Sequence, residues 1–187
     1  MQKLTTVAAA LAGAALLAGP AAAQIPHITP FAFEGRAGAG VPMGDFSHLA
    51  GPGLAVSGSI TYHAVPLLGV YAGASHAQFS RDAGAGDYKD TGFDVGARLG
   101  IPTPLIPIDP WIKAGVVIHR LELTGAGGAD FSDWGTGYEV GAGLGLGFGP
   151  ISITPGVSYV NHSYNDGAAV DRKASYVKAD VGVRIRI

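Results

Sequence analysis

The chain has 187 residues, 30 of them glycine, with 14% charged residues, no cysteine and a formal net charge of −2. That length fits one domain. The missing cysteines exclude a disulfide framework and thiolate metal sites, near-neutrality excludes the basic footprint of a nucleic-acid binder, and the abundant glycine lacks a collagen period.

The N-terminal segment reads as a secretory signal. Lys3 is its single charge, an apolar run covers residues 7–17, and Ala21-Ala22-Ala23 fits the small-x-small cleavage pattern. Cleavage after residues 1–23 leaves residues 24–187 as the expected mature domain. No later apolar run is long enough to cross a bilayer as a helix. If the mature chain is integral to a membrane, it must span as a closed sheet, because lipid leaves no other way to satisfy backbone groups.

The mature sequence alternates with period two in eight stretches, each read as a strand. The first, 31–41, sets Phe31, Phe33, Ala37, Ala39 and Val41 against Glu34, Arg36, Gly38 and Gly40. The second, 54–63, sets Leu54, Val56, Ile60 and Tyr62 against small polar residues, and a tight Ala64-Val65-Pro66 turn ends it. The third, 68–79, is small and mildly apolar on both sides, so its facing stays open. The fourth, 91–101, sets Phe93, Val95, Ala97, Leu99 and Ile101 against Asp94, Gly96, Arg98 and Gly100. The fifth, 110–123, places Trp111 and Lys113 opposite Ile112, Ala114, Val116 and Ile118. Leu121 and Leu123 break that phase, which predicts a β-bulge near His119–Arg120. The sixth and seventh form a hairpin over 137–159. Tyr138, Val140, Ala142, Leu144 and Leu146 alternate with Glu139 and glycines, Gly149-Pro150 reverses the chain, and Ile151, Ile153, Val157 and Tyr159 continue the apolar face. The eighth, 175–187, sets Val177, Ala179, Val181, Val183, Ile185 and Ile187 against Lys178, Asp180, Gly182, Arg184 and Arg186.

The connections after strands two, four and six are Pro-rich or Gly-Pro. Those after strands one, three, five and seven are longer, polar and rich in Gly and Asp, with extracellular loops expected at 80–89, 124–133 and 162–173 and a periplasmic turn at 102–109. Outer-membrane barrels show this asymmetry. The expected fold is therefore all-β: an eight-stranded antiparallel up-and-down transmembrane β-barrel, with the apolar faces toward lipid. The charges Glu34, Arg36, Asp94, Arg98, Glu139, Lys178, Asp180, Arg184 and Arg186 then lie inside, where mixed signs can pair. The first and last strands close the barrel, with Glu34 and Arg184 at one depth and Arg36 and Asp180 at another.

The run AGAGVPMGDFS at 37–47, the hairpin YEVGAGLGLGFGPISITPGVSY and the closing VKADVGVRIRI resemble the small outer-membrane barrel families, including the OmpX and OmpA transmembrane barrels. That resemblance covers the mature chain. It implies a monomeric barrel in the Gram-negative outer membrane, in contact with the lipid bilayer and lipopolysaccharide, inserted by the barrel-assembly machinery and without enzymatic activity. Members of these families usually end in an aromatic residue, whereas this sequence ends in Ile187 with the alternating register kept.

No catalytic, cofactor-binding or metal site is expected. His27, His48, His63, His76, His119 and His162 form no HxH or HxxxH pair, so a metal site would have to be assembled from separate strands. The glycine runs at Gly38 and Gly141 open no helix, so they fail as phosphate loops. The segment YVNHSYN resembles the His-x-Ser-Asn element of outer-membrane lipid A deacylases, but His162 and Ser163 are adjacent. In a strand they point to opposite faces; only in a loop could they share a substrate. Asp45, Asp82, Asp87, Asp90, Asp130, Asp133, Asp166 and Asp171 read as acidic loop residues. A soluble secreted or periplasmic ligand-binding barrel is the remaining alternative, and it would put the apolar faces inside.

Overall fold

The computed structural model describes residues 30–81, 86–103, 108–125, 131–165 and 172–187. The expected signal segment lies outside them, as do Asp82, Asp130, Asp166 and Asp171. Eight strands follow in order: β1 (Phe31–Pro42), β2 (Ala50–Val65), β3 (Leu68–Arg81), β4 (Asp87–Gly100), β5 (Ile108–Thr124), β6 (Phe131–Phe148), β7 (Ile151–Tyr164) and β8 (Arg172–Arg186). Each pairs with its sequence neighbours, and β1 pairs antiparallel with β8, so the sheet closes on itself. One 3-10 turn, Gly44–His48, joins β1 to β2. Closure removes the unpaired edge that lipid would not tolerate.

The polarity is inside-out. Leu54 is 74% exposed and Phe93 60%, whereas Glu34 is 5% exposed and Glu139 1%. Phe31, Phe33, Val95, Val140, Val181 and Val183 all face outward. A soluble barrel needs the reverse arrangement, because a contiguous apolar belt in water is an association surface. The soluble alternative therefore fails on side-chain facing, and the charge pattern of the strands is accounted for by a lipid-facing exterior.

The strands outrun the alternating stretches. β2 begins at Ala50 rather than 54, β4 at Asp87 rather than 91, and β6 at Phe131 rather than 137. They are 12 to 18 residues long, and a barrel strand needs only about 9–11 to cross a bilayer. The excess continues the backbone ladder past the apolar belt, where Gln78, Arg120 and Ser132 replace aliphatic residues on the outer face. β2 passes Gly51-Pro52-Gly53 with a register shift between Ala50 and Gly53.

The expected bulge at His119–Arg120 is absent. β5 keeps an unbroken register with β4 and with β6 through that region. Trp111, Val117, His119 and Leu121 all face inward in one phase. Leu121 looks out of phase only because this part of the lumen is apolar. In β3 the open facing resolves with Tyr71, Ser75, Ala77 and Phe79 inward.

At one rim, the turn end, β2 reaches β3 through Pro66-Leu67 and β6 reaches β7 through Gly149-Pro150. Gly149 has φ of 67°, the left-handed conformation wanted at the first position of a two-residue hairpin loop. The start of β1 and the end of β8 lie at this rim. The length asymmetry is weaker than expected. β4 ends at Gly100 and β5 starts at Ile108, a longer gap than the one at the loop end where β3 stops at Arg81 and β4 resumes at Asp87. The strands have absorbed part of each stretch read as loop.

Val140 lies near the middle of β6 and Leu146 two residues from its turn-end terminus. Val140→Arg should cost about 2–4 kcal/mol and Leu146→Arg about 0–1 kcal/mol, if the bilayer midplane passes the strand centre. Urea titration of the barrel refolded in lipid vesicles measures both, and equal costs would contradict this placement.

Candidate functional site

The one enclosed environment in the described part of the molecule is the lumen, and side chains fill it in layers. Inward residues come from every second position of each strand. An eight-stranded barrel is only wide enough for such side chains to meet across it.

The layer nearest the turn end is built on Glu34 and Arg36 of β1. Glu34 accepts from the guanidinium groups of Arg36 and Arg98 and from the Thr154 hydroxyl at 2.7 Å. Arg36 also donates through Nε to Asp180 of β8 at 3.1 Å. Trp111 lies beneath both arginines, its ring 4.2 Å from the Arg98 guanidinium carbon and 5.1 Å from that of Arg36. Room for these groups comes from glycine. A Cβ on Gly156 would stand 2.8 Å from the Trp111 ring and from the Arg36 guanidinium, and one on Gly143 would collide with the same ring. Gly143 and Gly156 are cross-strand partners beside Pro155, next to a gap in the β6–β7 ladder. The expected seam is thus half right. Arg36 and Asp180 do pair, and Glu34 faces Arg184 in backbone register. Yet the Arg184 guanidinium goes to His63 Nε2 at 2.7 Å, and the Glu34 partner is Arg98 from across the lumen.

In mid-lumen, Glu139 holds Lys113 at 2.9 Å and Lys178 at 3.0 Å. Beside it a cavity of about 30 Å³, lined by Thr61, Tyr71 and Asp94 among others, has room for one water molecule.

Above that layer three strands converge on Asp90. This residue, read from sequence as part of a loop, is on β4, inward and 1% exposed. His162 of β7 places Nε2 3.0 Å from Asp90 Oδ2, and Tyr176 of β8 donates its hydroxyl to the same oxygen at 2.8 Å. His119 of β5 places Nδ1 3.1 Å from Asp90 Oδ1. Its Nε2 lies 2.9 Å from Asp94 Oδ1 and 3.2 Å from Ser75 Oγ. Both imidazoles are fully buried. Asp90, His119 and His162 are the three described residues whose ligand atoms lie close enough together to share a metal ion.

The loop end is closed by an apolar plug. Phe46, carried inward by the 3-10 turn, meets Phe79 and Tyr88 edge-on at 5.5 Å between ring centres. Phe79 meets Tyr176 at 4.9 Å, and Leu121, Val117 and Val160 complete the cluster. At the turn end a cavity of about 310 Å³ opens between His63, Arg98, Trp111, Arg184 and Arg186 and stops at the first ion-pair layer.

The sequence candidates distribute as follows. His119 and His162 meet in the lumen, His63 joins the turn-end layer, and His48 and His76 are remote from them; His27 lies outside the described residues. His162 and Ser163 are on β7 rather than in a loop, so they face opposite sides of the wall. The Ser163 hydroxyl donates to the Thr136 carbonyl at 3.3 Å.

Glu34→Gln should destabilise the barrel by about 3–5 kcal/mol, because Arg98 is left buried with one partner fewer. In a double-mutant cycle, Glu34→Gln with Arg98→Gln should cost well below the sum of the singles, and Glu34→Gln with Arg184→Gln should be nearer additive. Denaturant titration reads the coupling; strict additivity for the Arg98 pair would remove the cross-lumen bridge.

A scan against protein-family models finds no match, and a search of curated protein sequences finds none either. Solved structures do match. Neisserial surface protein A is similar with a TM-score of 0.66 at 17% identity, covering 84% of this chain and 97% of that one. The attachment invasion locus protein Ail of Yersinia pestis gives 0.52 at 17% identity over 83% and 97%. The N-terminal barrel domain of Pseudomonas aeruginosa OprF gives 0.51 at 15% identity over 82% and 96%. With a closed eight-stranded sheet, a charged lumen and an apolar exterior, the chain has the fold of the small outer-membrane β-barrels.

Proposed function

We propose that this chain is a non-enzymatic protein of the outer membrane, a monomeric barrel with a structural role and with its rims available for surface interaction. The observation that carries this reading is the filled lumen. Ion-pair layers and an aromatic plug stack from one end to the other, leaving no continuous passage through the described residues. A diffusion pore needs the opposite.

The apolar belt supports lipid as the main partner, and a closed sheet offers no edge for strand pairing with a second copy. Lipopolysaccharide and the barrel-assembly machinery are the further partners this placement entails. The deacylase-like alternative loses its main support, because a base and a nucleophile on opposite faces of a strand are out of hydrogen-bond reach. With β1 and β8 ending together at the turn end, we orient that rim toward the periplasm.

Two measurements test the proposal. The mature protein should sediment with outer membranes after carbonate washing, and liposomes containing it should not swell in small sugars. Recovery as a soluble periplasmic monomer, or rapid swelling, would overturn it. For orientation, a cysteine at exposed Ser47 should react with an impermeant thiol reagent on intact cells and one at Leu67 should not; the reverse pattern would invert the barrel.

A further inference from the structure

Beneath the plug, two buried carboxylates lack the partners that the rest of the lumen provides. Glu34, Glu139 and Asp180 each pair with arginine or lysine. Asp90 and Asp94 have no such ion pair among the described residues; the cationic groups they touch are imidazoles. Buried charge without compensation is strongly unfavourable. Positive charge is needed beside Asp90, as protons on histidine or as a metal cation.

The geometry discriminates between them. His119 Nε2 is within hydrogen-bond distance of the Asp94 carboxylate, which assigns its proton to that nitrogen. Nδ1 then offers no proton to Asp90 Oδ1, which lies 3.1 Å away and off the lone-pair axis. That contact has no hydrogen-bonding angle, and neither atom has another partner among the described residues. A proton is badly placed to join them, whereas a metal ion beside both is not bound by that angle. His162 repeats the pattern. Its Nδ1 lies 3.2 Å from the Ser163 carbonyl, which frees Nε2 to turn on Asp90. Histidine ligands of metals are oriented in this way, the second nitrogen donating to a carboxylate or a backbone carbonyl.

We propose that Asp90, His119 and His162 bind one divalent transition-metal ion in the upper lumen, with Tyr176 or a water molecule as the fourth neighbour. The ligand atoms all lie within 4.8 Å of one another. Tetrahedral zinc with bonds of about 2.0–2.2 Å separates its donors by about 3.3 Å, close to the 3.0 and 3.1 Å found between Asp90 and the two histidines. Two imidazoles and a carboxylate favour zinc, cobalt, nickel or copper over calcium and magnesium. Asp94 is a positioning residue that acts through His119. The ion ties β4, β5 and β7 together across the barrel. Phe46, Phe79 and Tyr176 cover the site from one end and the Glu139 layer closes it from the other, so the ion enters as the strands assemble.

The test uses the untagged mature chain, refolded in detergent micelles with zinc or cobalt and then dialysed free of excess metal. We expect one zinc per chain by elemental analysis, and intense visible absorption from cobalt in a tetrahedral site. Zinc present during refolding should raise the urea midpoint. Asp90→Asn and His162→Gln should lose the ion while still showing the heat-modifiable gel migration of a folded barrel. Asp94→Asn should bind about 10–100-fold more weakly, and His48→Gln and His76→Gln should bind as wild type. If a variant does not fold, the wild-type cobalt spectrum decides: a weak octahedral spectrum, or none, overturns the proposal. Equal metal retention by wild type and a folded His119→Gln/His162→Gln double variant also overturns it, marking the bound ion as adventitious.

Discussion

The whole structure depends on the narrowness of an eight-stranded barrel. Its interior admits one side chain from each wall, so whatever faces inward must satisfy its neighbours or remain uncompensated in a space with little water. The glycine content follows from this constraint. Trp111 and two arginine side chains share one layer because Gly143, Gly156 and Gly182 opposite them carry no Cβ. A residue of ordinary size at any of those positions would displace an ion pair, not merely crowd a surface.

The same constraint sorts charge by height. On the strands, Glu34, Asp90, Asp94, Glu139 and Asp180 face Arg36, Arg98, Lys113, Lys178 and Arg184 within the lumen, matched in total. They are not matched layer by layer. All five strong cations sit in the lower and middle layers, and the upper carboxylates are left to imidazole. Buried pairs of this kind are poor evidence of net stabilisation, since desolvation offsets much of the attraction. Their effect is specificity: a strand slipped by one residue would put Glu34 and Arg36 into lipid and Phe33 into the lumen.

Most of the fold was legible because facing in a strand is a matter of parity. The apolar rows of β1, β2, β4, β6, β7 and β8 are readable residue by residue, and their charges lie inside as expected except Arg186, which is partly exposed and pairs with Asp109 at the turn-end rim. The errors share one cause, the use of apolar alternation as the mark of a strand. Beyond the bilayer the outer residues turn polar while the ladder continues, so apolar alternation marks the starts of β4 and β6 several residues late and assigns Asp90 to a loop. Parity alone would have recovered it. Asp94, Arg98 and Gly96 face inward on β4, and Asp90 is in phase with them. Likewise Leu121 is in phase with Trp111 and His119 on β5, and no bulge is needed. What parity does not reveal is height around the barrel. His119, His162 and Asp90 lie far apart in sequence, and only the stagger of the closed sheet brings them to one level.

Because the lumen is consumed by mutual satisfaction of its side chains, sequence change inside it is confined. Substituting Asp90 takes one partner from each of two histidines, substituting Glu34 takes one from each of two arginines, and a side chain at Gly143 or Gly156 would collide with Trp111. The lipid face is confined differently, to apolar residues of almost any shape. Neither surface can be reshaped freely to recognise a ligand. The rims are exempt from both constraints. There the strands stand clear of the apolar belt, with Gln78, Arg120, Glu122 and Ser132 already joined by exposed polar contacts. Sequence is therefore freest to vary at the rims, and at the loop end Phe46 anchors the first connection to the core.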